Sequence, residues 1–301
     1  MGSLGQQAKA VRERRKMHDV YMNYSEAHGF NHWLPYADVY DKYLPQAEDV
    51  EGGVVKMLEI GVQSGGSARM WRTVFGSSLY YVGVDIDIRC TRSENVKEGT
   101  FIEIGSQLNR TFVVSVCLKH GPFDLVIDDG GHTAAMIKET FATLFPDNRC
   151  MKPNSTYIIE DTHTVKHGVK YSTCPSELYD MASDLWYHQH WRWPRRKRGA
   201  DGAAFAPPCR APPHPTFAQS IREVHLFDSM LVVNRAPAVN PFQEINRGTD
   251  FFRNVEATLN APSIYFPTRP LAHGFDSFPW GYQGLRTCPQ GECPLHDRRR
   301  T

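Results

Sequence analysis

The chain has 301 residues, and its 41% hydrophobic content is enough for a substantial core. Its 34 lysine and arginine residues nearly balance 33 aspartate and glutamate residues, so net charge points to neither a nucleic-acid nor a membrane partner. No apolar run approaches the roughly 18 residues of a membrane span. Residues 1–16 lack the apolar core of a secretory signal, and we therefore expect a cytoplasmic protein.

Seven cysteines are scattered along the chain, and no two of them have the CxxC spacing of a metal site. In a cytoplasmic protein this pattern predicts reduced thiols. Cys288 and Cys293 lie five residues apart in a loop-like tail and would pair only in an oxidising compartment.

Residues 1–50 form the first predicted segment. Apolar residues at helical spacing predict a helix over 36–44. One interpretation is a helix that packs on the main domain. The other is a flap in which His32, Trp33 and Tyr36 line a ligand site.

A predicted strand over 54–60 leads through the glycine-rich turn 61–67 into a helix over 68–75. Backbone N–H groups at the start of such a helix suit anionic or hydroxylated ligands. The turn lacks the G-x-G-x-x-G spacing of dinucleotide sites, and a carboxylate at Glu59 would repel a pyrophosphate. We therefore expect this loop to meet a ligand with a cationic group.

The second predicted strand covers 79–85 and ends in Asp85, about 20 residues after the glycine turn, where an acid commonly binds ribose hydroxyls. The third covers 100–104 and closes in Gly105, Ser106 and Gln107. A helix is predicted to follow near 112–120.

Acids and histidines follow the next two predicted strands, over 123–128 and 156–159. Ligands of an open α/β sheet bind beyond the carboxyl ends of its strands. Crowding carboxylates there is costly unless a cation lies between them. The residues concerned are Asp128, Asp129, His132, Glu160, Asp161 and His163.

Strands alternate with helices five times, which predicts a doubly wound, mostly parallel α/β sheet. The stretch 146–153 is expected to be a loop, and 175–193 to contain an amphipathic helix. The segments 222–227 and 230–234 predict an antiparallel terminal hairpin, which brings the sheet to seven strands. Residues 236–301 are expected to wrap the core or to join a partner subunit in a homo-oligomer.

These motifs resemble those of class I S-adenosylmethionine-dependent methyltransferases, and in particular the metal-dependent O-methyltransferases of macrolide sugars. Cephalosporin-hydroxylase-like proteins share the pattern. The resemblance covers roughly 18–235 and implies a Rossmann-like methyltransferase fold. It is carried by the first motif 58–67, Asp85, the stretch 123–129, His132, Glu160-Asp161, the phrase 224–229 and His32.

The resemblance implies S-adenosylmethionine as the methyl donor. Glu59 would face the cationic part of its methionine, Asp85 would take the ribose hydroxyls, and residues 105–107 would border the adenine. The residues expected to bind the donor are Glu59, Gly61, Ser64, Gly65, Asp85, Ser106, Gln107 and Asp128.

The resemblance also implies Mg²⁺ held by Asp129, Glu160 and Asp161, whose hard oxygen atoms suit that ion. His132 would act as general base towards a hydroxyl whose pKa the ion lowers. Asp128 has three open roles: it faces the donor, caps the following turn, or replaces Asp129 as a ligand.

The implied activity is Mg²⁺-dependent methylation of a hydroxyl of a sugar or vicinal diol in a small, natural-product-like acceptor. One alternative is a non-catalytic or auxiliary cofactor-binding member of the same fold that serves a partner protein. A nicotinamide-dependent dehydrogenase is a second alternative, disfavoured by the glycine spacing and Glu59. The expected division is a helical or flap segment over 1–50, a donor-binding domain over 51–235 and an extension over 236–301.

Overall fold

The computed structural model describes residues 16–164, 176–189, 217 and 220–236. The described helices are α1 (Met17–Met22), α2 (Tyr36–Tyr43), α3 (Gly66–Phe75), α4 (Arg110–His120), α5 (Ala134–Leu144) and α6 (Ser176–Gln189). The strands are β1 (Val55–Ile60), β2 (Leu79–Asp85), β3 (Thr100–Ile104), β4 (Phe123–Asp128), β5 (Met151–Ile159), β6 (Ile221–Phe227) and β7 (Met230–Arg235).

The seven strands form one sheet in the order β3-β2-β1-β4-β5-β7-β6. Strands β1 to β5 pair in parallel, whereas β7 pairs antiparallel with both β5 and β6. The predicted fold class is thus confirmed. The chain order reverses between β1 and β4, where Ile60 lies opposite Asp128, and this is the point at which open α/β sheets bind their ligands.

Apolar clusters cover both faces of the sheet. On one face Val126 and Leu58 pack among α4, α5 and α6, and on the other Leu125 and Met57 pack among α1, α2 and α3. Every residue of β4 is buried. Burying each apolar side chain of this strand contributes about 1.5–3 kcal/mol, so the carboxyl ends of β1 and β4 are firmly fixed.

The prediction of a loop over 146–153 is wrong for 151–153, because β5 already begins at Met151. Phe123 pairs with Met151 but Leu125 pairs with Thr156, so the fifth strand bulges between these pairs. Pro153 lies in that exposed bulge, where its missing N–H costs no ladder hydrogen bond. The proline made the segment look like a loop.

The prediction of reduced thiols is wrong for two cysteines. Cys117 of α4 and Cys150, just before β5, form a disulfide, while Cys90 is free and buried. The 33-residue separation of the bonded pair gives no local signal, because the helix and the strand meet only in the folded sheet. The proposed pair Cys288 and Cys293 lies outside the described residues.

The terminal segments are described only in part. Helix α2 covers the predicted 36–44 helix nearly in full and buries four of its residues against the sheet. The helix predicted within 175–193 is α6. Of 236–301 only residue 236 is described. Within the described residues no helix is both long and apolar enough to cross a membrane.

Candidate active site

Backbone hydrogen bonds continue past the ends of two strands, β4 and β5, and align the residues that follow. The Asp129 amide donates to the Ile60 carbonyl at 2.9 Å, and the Glu160 amide donates to the Asp128 carbonyl at 3.0 Å. Asp129 and Glu160 are thereby fixed at one edge of the sheet, immediately beyond β4 and β5.

Gly61 lets β1 and β4 meet closely at this edge. Its φ is +95°, and a Cβ built there would lie 2.1 Å from the carbonyl oxygen of Asp129. Only glycine combines that backbone conformation with so close an approach. The first glycine of the turn is therefore required by its contact with the strand end that carries Asp129.

A cavity of about 520 Å³ opens at the carboxyl ends of β1, β2 and β4. Its volume lies within the range typical of small-molecule sites. Among the predicted site residues, Gly61, Ser64, Asp85, Asp129, His132 and Asp161 line it. Other lining residues are Phe30, Asn31, His32, Gln63, Arg89 and Cys90.

Asp85 is held rigidly in the wall of this cavity. Its carboxylate accepts hydrogen bonds from the amides of Val62, Gln63 and Asp87, each at 2.9 Å. Burial alone would raise the pKa of Asp85, but these backbone donors outweigh it and hold the pKa below its usual value. An ionised, oriented acceptor at the end of β2 suits a pair of ligand hydroxyls.

Glu59 lies beneath the cavity and is not among its lining residues. It is fully buried and accepts hydrogen bonds from Ser67 at 2.8 Å, Trp71 at 2.9 Å and the Tyr81 hydroxyl. Burial raises the pKa of Glu59, and the three hydrogen bonds oppose that rise. Its contact with the ligand space is through Ser67, which does line the cavity.

Asp128 and Gln107 lie behind the turn that follows β4. Asp128 accepts hydrogen bonds from Gln107 at 3.3 Å and from the Tyr157 hydroxyl at 3.1 Å. Burial raises the pKa of Asp128 to about 7, with the hydrogen bonds acting in the opposite direction. Gln107 also accepts from the Gly131 amide at 2.8 Å, so this pair supports the glycine turn from behind.

Gly65 and Ser106 complete the predicted donor set, and neither is among the cavity-lining residues. Gly65 has a φ of +83°, and a Cβ there would lie 1.9 Å from the Ser93 hydroxyl. Ser106 is half-buried and accepts from the Leu108 amide at 3.2 Å. Both shape the loops around the cavity.

The predicted metal ligands Asp129, Glu160 and Asp161 are divided between two groups that share Asp129. Donor atoms of Asp129, His132 and Asp161 lie within 4.8 Å of one another, and so do those of His32, Asp129 and Glu160. Asp129 belongs to both groups, whereas Asp128 belongs to neither. From the sequence, His32 was considered as part of a flap and of the family resemblance, but not as a metal ligand. It is the addition that the tertiary structure makes to this cluster.

Burial and mutual repulsion act on the acids of the cluster. Burial raises the pKa of Glu160 to about 8 and also raises the pKa of Asp129. The negative charge of Glu160 raises the pKa of Asp129 further. No lysine or arginine among the described residues lies within ion-pair distance of these acids. A bound divalent ion would offset the raised pKa values, so hard oxygen donors in this arrangement fit Mg²⁺.

His132 faces the same cluster from the glycine turn. Its Nε2 lies 3.8 Å from Asp129 and 3.9 Å from Asp161, and its φ is +53°. Burial lowers the pKa of His132, although the charge of Asp161 opposes the effect. A neutral imidazole beside the cavity is able to accept a proton.

No family model matches the chain. It is 36% identical over 144 residues to mycinamicin VI 2''-O-methyltransferase of Micromonospora griseorubida, covering 45% of this chain and 33% of that protein. It is 34% identical over 148 residues to L-olivosyl-oleandolide 3-O-methyltransferase of Streptomyces antibioticus, covering 46% and 35%. The chain spans about a third of the length of the curated relatives it matches.

Among solved structures, the chain is similar to the MycE methyltransferase of the mycinamycin biosynthetic pathway in complex with Mg and SAH. The TM-score is 0.58 at 25% identity, over 82% of this chain and 61% of that one. The chain has the methyltransferase fold. The resemblance to macrolide-sugar O-methyltransferases that the motifs predicted is therefore confirmed.

Helix α2 adds two tyrosine hydroxyls to the site. The sequence analysis named Tyr36 in its flap interpretation but missed Tyr40 as a site residue. Tyr36 donates a hydrogen bond to Asp161 at 2.6 Å, and Tyr40 donates one to Glu160. Tyr40 was assigned only to the apolar face of a helix. The available signal was its four-residue spacing from Tyr36, which places both hydroxyls on the same side of α2.

Proposed function

We propose that this chain is an S-adenosylmethionine-dependent O-methyltransferase that acts on a hydroxyl of a sugar or other vicinal diol in a small-molecule acceptor. One observation carries the proposal: Asp85 and the glycine loop share a single cavity with Asp129, His132 and Asp161. A donor site and an acid cluster thus open into the same space. The chemistry named for the relatives, mycinamicin VI 2''-O-methylation and L-olivosyl-oleandolide 3-O-methylation, supports this assignment.

The donor requires alignment more than activation. Methyl transfer from a sulfonium is a direct displacement, so the protein contributes mainly by fixing the approach of the acceptor. Asp85 would accept hydrogen bonds from the ribose hydroxyls, while Gly61 and Ser64 would border the methionine part. Glu59 would act on the donor's positive charge from beneath the loop.

The acid cluster would hold Mg²⁺ through Asp129, Glu160 and Asp161. When bound, that ion lowers the pKa of an acceptor hydroxyl and fixes its position. His132 lies within 4 Å of two of these acids and would take the proton from the hydroxyl. The donor-binding part remains assigned to 51–235, and 1–50 remains assigned as a helical or flap segment.

The test is a binding measurement followed by a product search. We expect S-adenosylmethionine and Mg²⁺ each to raise the melting temperature of the full chain, and NAD to leave it unchanged. Incubating the protein with donor, Mg²⁺ and a panel of deoxysugar glycosides should yield a product heavier by one CH₂ in the mass spectrum.

A chelator should abolish that product. Stabilisation by NAD alone would contradict the proposal. Donor binding without methylation of any acceptor in the panel would favour the auxiliary role, and methylation that persists in excess chelator would remove the metal from the reaction.

A further inference from the structure

Helix α2 presents two hydroxyl groups to two consecutive acids of the cluster. Tyr36 and Tyr40 are one helical turn apart, and Asp161 and Glu160 are neighbours at the end of β5. Both tyrosine rings are almost fully buried, at 1% and 0% exposure. The Tyr40 hydroxyl therefore meets Glu160 inside the protein, whereas the Tyr36 hydroxyl meets Asp161 at the wall of the cavity.

Tyr36 is the centre of a small network around Asp161. Its hydroxyl lies 2.6 Å from Oδ1 of Asp161 and 2.9 Å from Oγ of Ser229, in the turn between β6 and β7. The Asp161 amide in turn donates to the Tyr36 oxygen at 3.2 Å. Asp161 has a φ of +53°, so this network holds both its side chain and an unusual backbone conformation.

Tyr40 acts on Glu160 in the same way. Its hydroxyl donates to Oε1 of Glu160, a residue only 1% exposed. The ring of His32, which also belongs to the cluster, stacks on the Tyr40 ring with centroids 6.1 Å apart. A carboxylate with one oxygen held by a tyrosine keeps its other oxygen for an ion.

The segment that carries these tyrosines also contacts the donor loop. His28 donates from Nδ1 to the Ser64 carbonyl at 2.8 Å, and the Ser64 hydroxyl donates to the Gly29 carbonyl. The stretch 28–40 thus touches both halves of the cavity, the glycine loop and the acids.

We propose that Tyr36 and Tyr40 are positioning residues for the cation, and that cation binding is thereby coupled to the packing of α2 on the sheet. This inference rests on the proposed function. Coupling is reciprocal: if the packed helix raises the affinity for the ion, the ion must stabilise the packed helix by the same factor.

The first test compares Y36F and Y40F with a control from the same helix, Y43F. Phenylalanine keeps each ring and removes only the hydroxyl. The Tyr43 hydroxyl is buried without a hydrogen-bond partner among the described residues, so its removal breaks no described contact. We expect Mg²⁺, titrated alone by calorimetry, to bind Y36F and Y40F about 10–100-fold more weakly than wild type. Y43F should bind as wild type does.

The second test measures the coupling between cation binding and helix packing by hydrogen exchange of the α2 amides. Mg²⁺ should slow their exchange in the wild type and in Y43F, and should slow it less in Y36F and Y40F. Equal Mg²⁺ affinity in all four proteins would overturn the positioning role while leaving the proposed function intact. A wild-type chain that binds no Mg²⁺ would instead remove the metal from the proposed function, and this inference would fall with it.

Discussion

Replacing Gly61 by alanine tests whether the contact between β1 and β4 builds the site. The new Cβ would lie 2.1 Å from the Asp129 carbonyl oxygen and 2.8 Å from its carbonyl carbon. Both are backbone atoms, and the Asp129 amide is itself bonded to Ile60. No rotamer change relieves the clash, so Asp129 must retreat by about 1 Å, a displacement that can cost about 100-fold in rate.

The expected loss of unfolding free energy in G61A has two contributions. A left-handed φ costs an alanine about 1–2 kcal/mol, and forcing an atom into packed surroundings costs about 1–3 kcal/mol more. A substitution at Gly52 separates the two contributions. Its φ is +76°, but a Cβ there meets nothing within 4 Å among the described residues, so an alanine at this position has only the backbone strain. We therefore expect G61A to lose about 3 kcal/mol of unfolding free energy and G52A only the strain, about 1 kcal/mol.

Urea denaturation of both variants measures the stability difference, and calorimetric titration with Mg²⁺ measures the site. G61A should bind Mg²⁺ at least tenfold more weakly than wild type, because Asp129 belongs to both groups of the acid cluster. G52A should bind it normally. If G61A is as stable as G52A and binds Mg²⁺ with wild-type affinity, the close contact does not position Asp129.

Three further changes have distinct expected outcomes. Asp161→Asn should abolish methyl transfer but leave the affinity for S-adenosylmethionine, measured by calorimetry, nearly intact. Normal turnover of this variant would show that Asp161 is not a metal ligand. His132→Ala should lower kcat. It should also remove the fall in rate on the acid side of the pH profile, and since the pKa of His132 is lowered, that fall lies below about pH 6.5. An unchanged pH profile would exclude His132 as the base. Burial would raise the pKa of Glu103, but hydrogen bonds from Lys119 at 2.6 Å and His120 at 2.8 Å hold it below normal. Glu103→Gln should therefore cost about 1–2 kcal/mol in urea denaturation at pH 7, and the difference from wild type should disappear as the pH falls below about 4; a difference that persists in acid would contradict the pairing.

Local patterns predicted much of this molecule. The strands over 79–85 and 100–104 were predicted to the residue, because short apolar runs bounded by glycines and acids leave little choice of structure. The acid cluster was also predictable: parallel strands bring their carboxyl ends to one edge, so Asp129 and Glu160 had to approach each other.

Other features depended on contacts between distant segments. The bond between Cys117 and Cys150 joins a helix to a strand start, and the burial of Glu59 depends on donors from α3 and β2. The hydroxyls of α2 reach their acids across more than 100 residues of chain. Sequence periodicity records which face of an element is apolar but not which polar groups meet when two faces pack. The amino-acid sequence by itself therefore determined the order of the elements and the acids at their ends, and only tertiary packing decided which hydroxyls, imidazoles and thiols those ends would face.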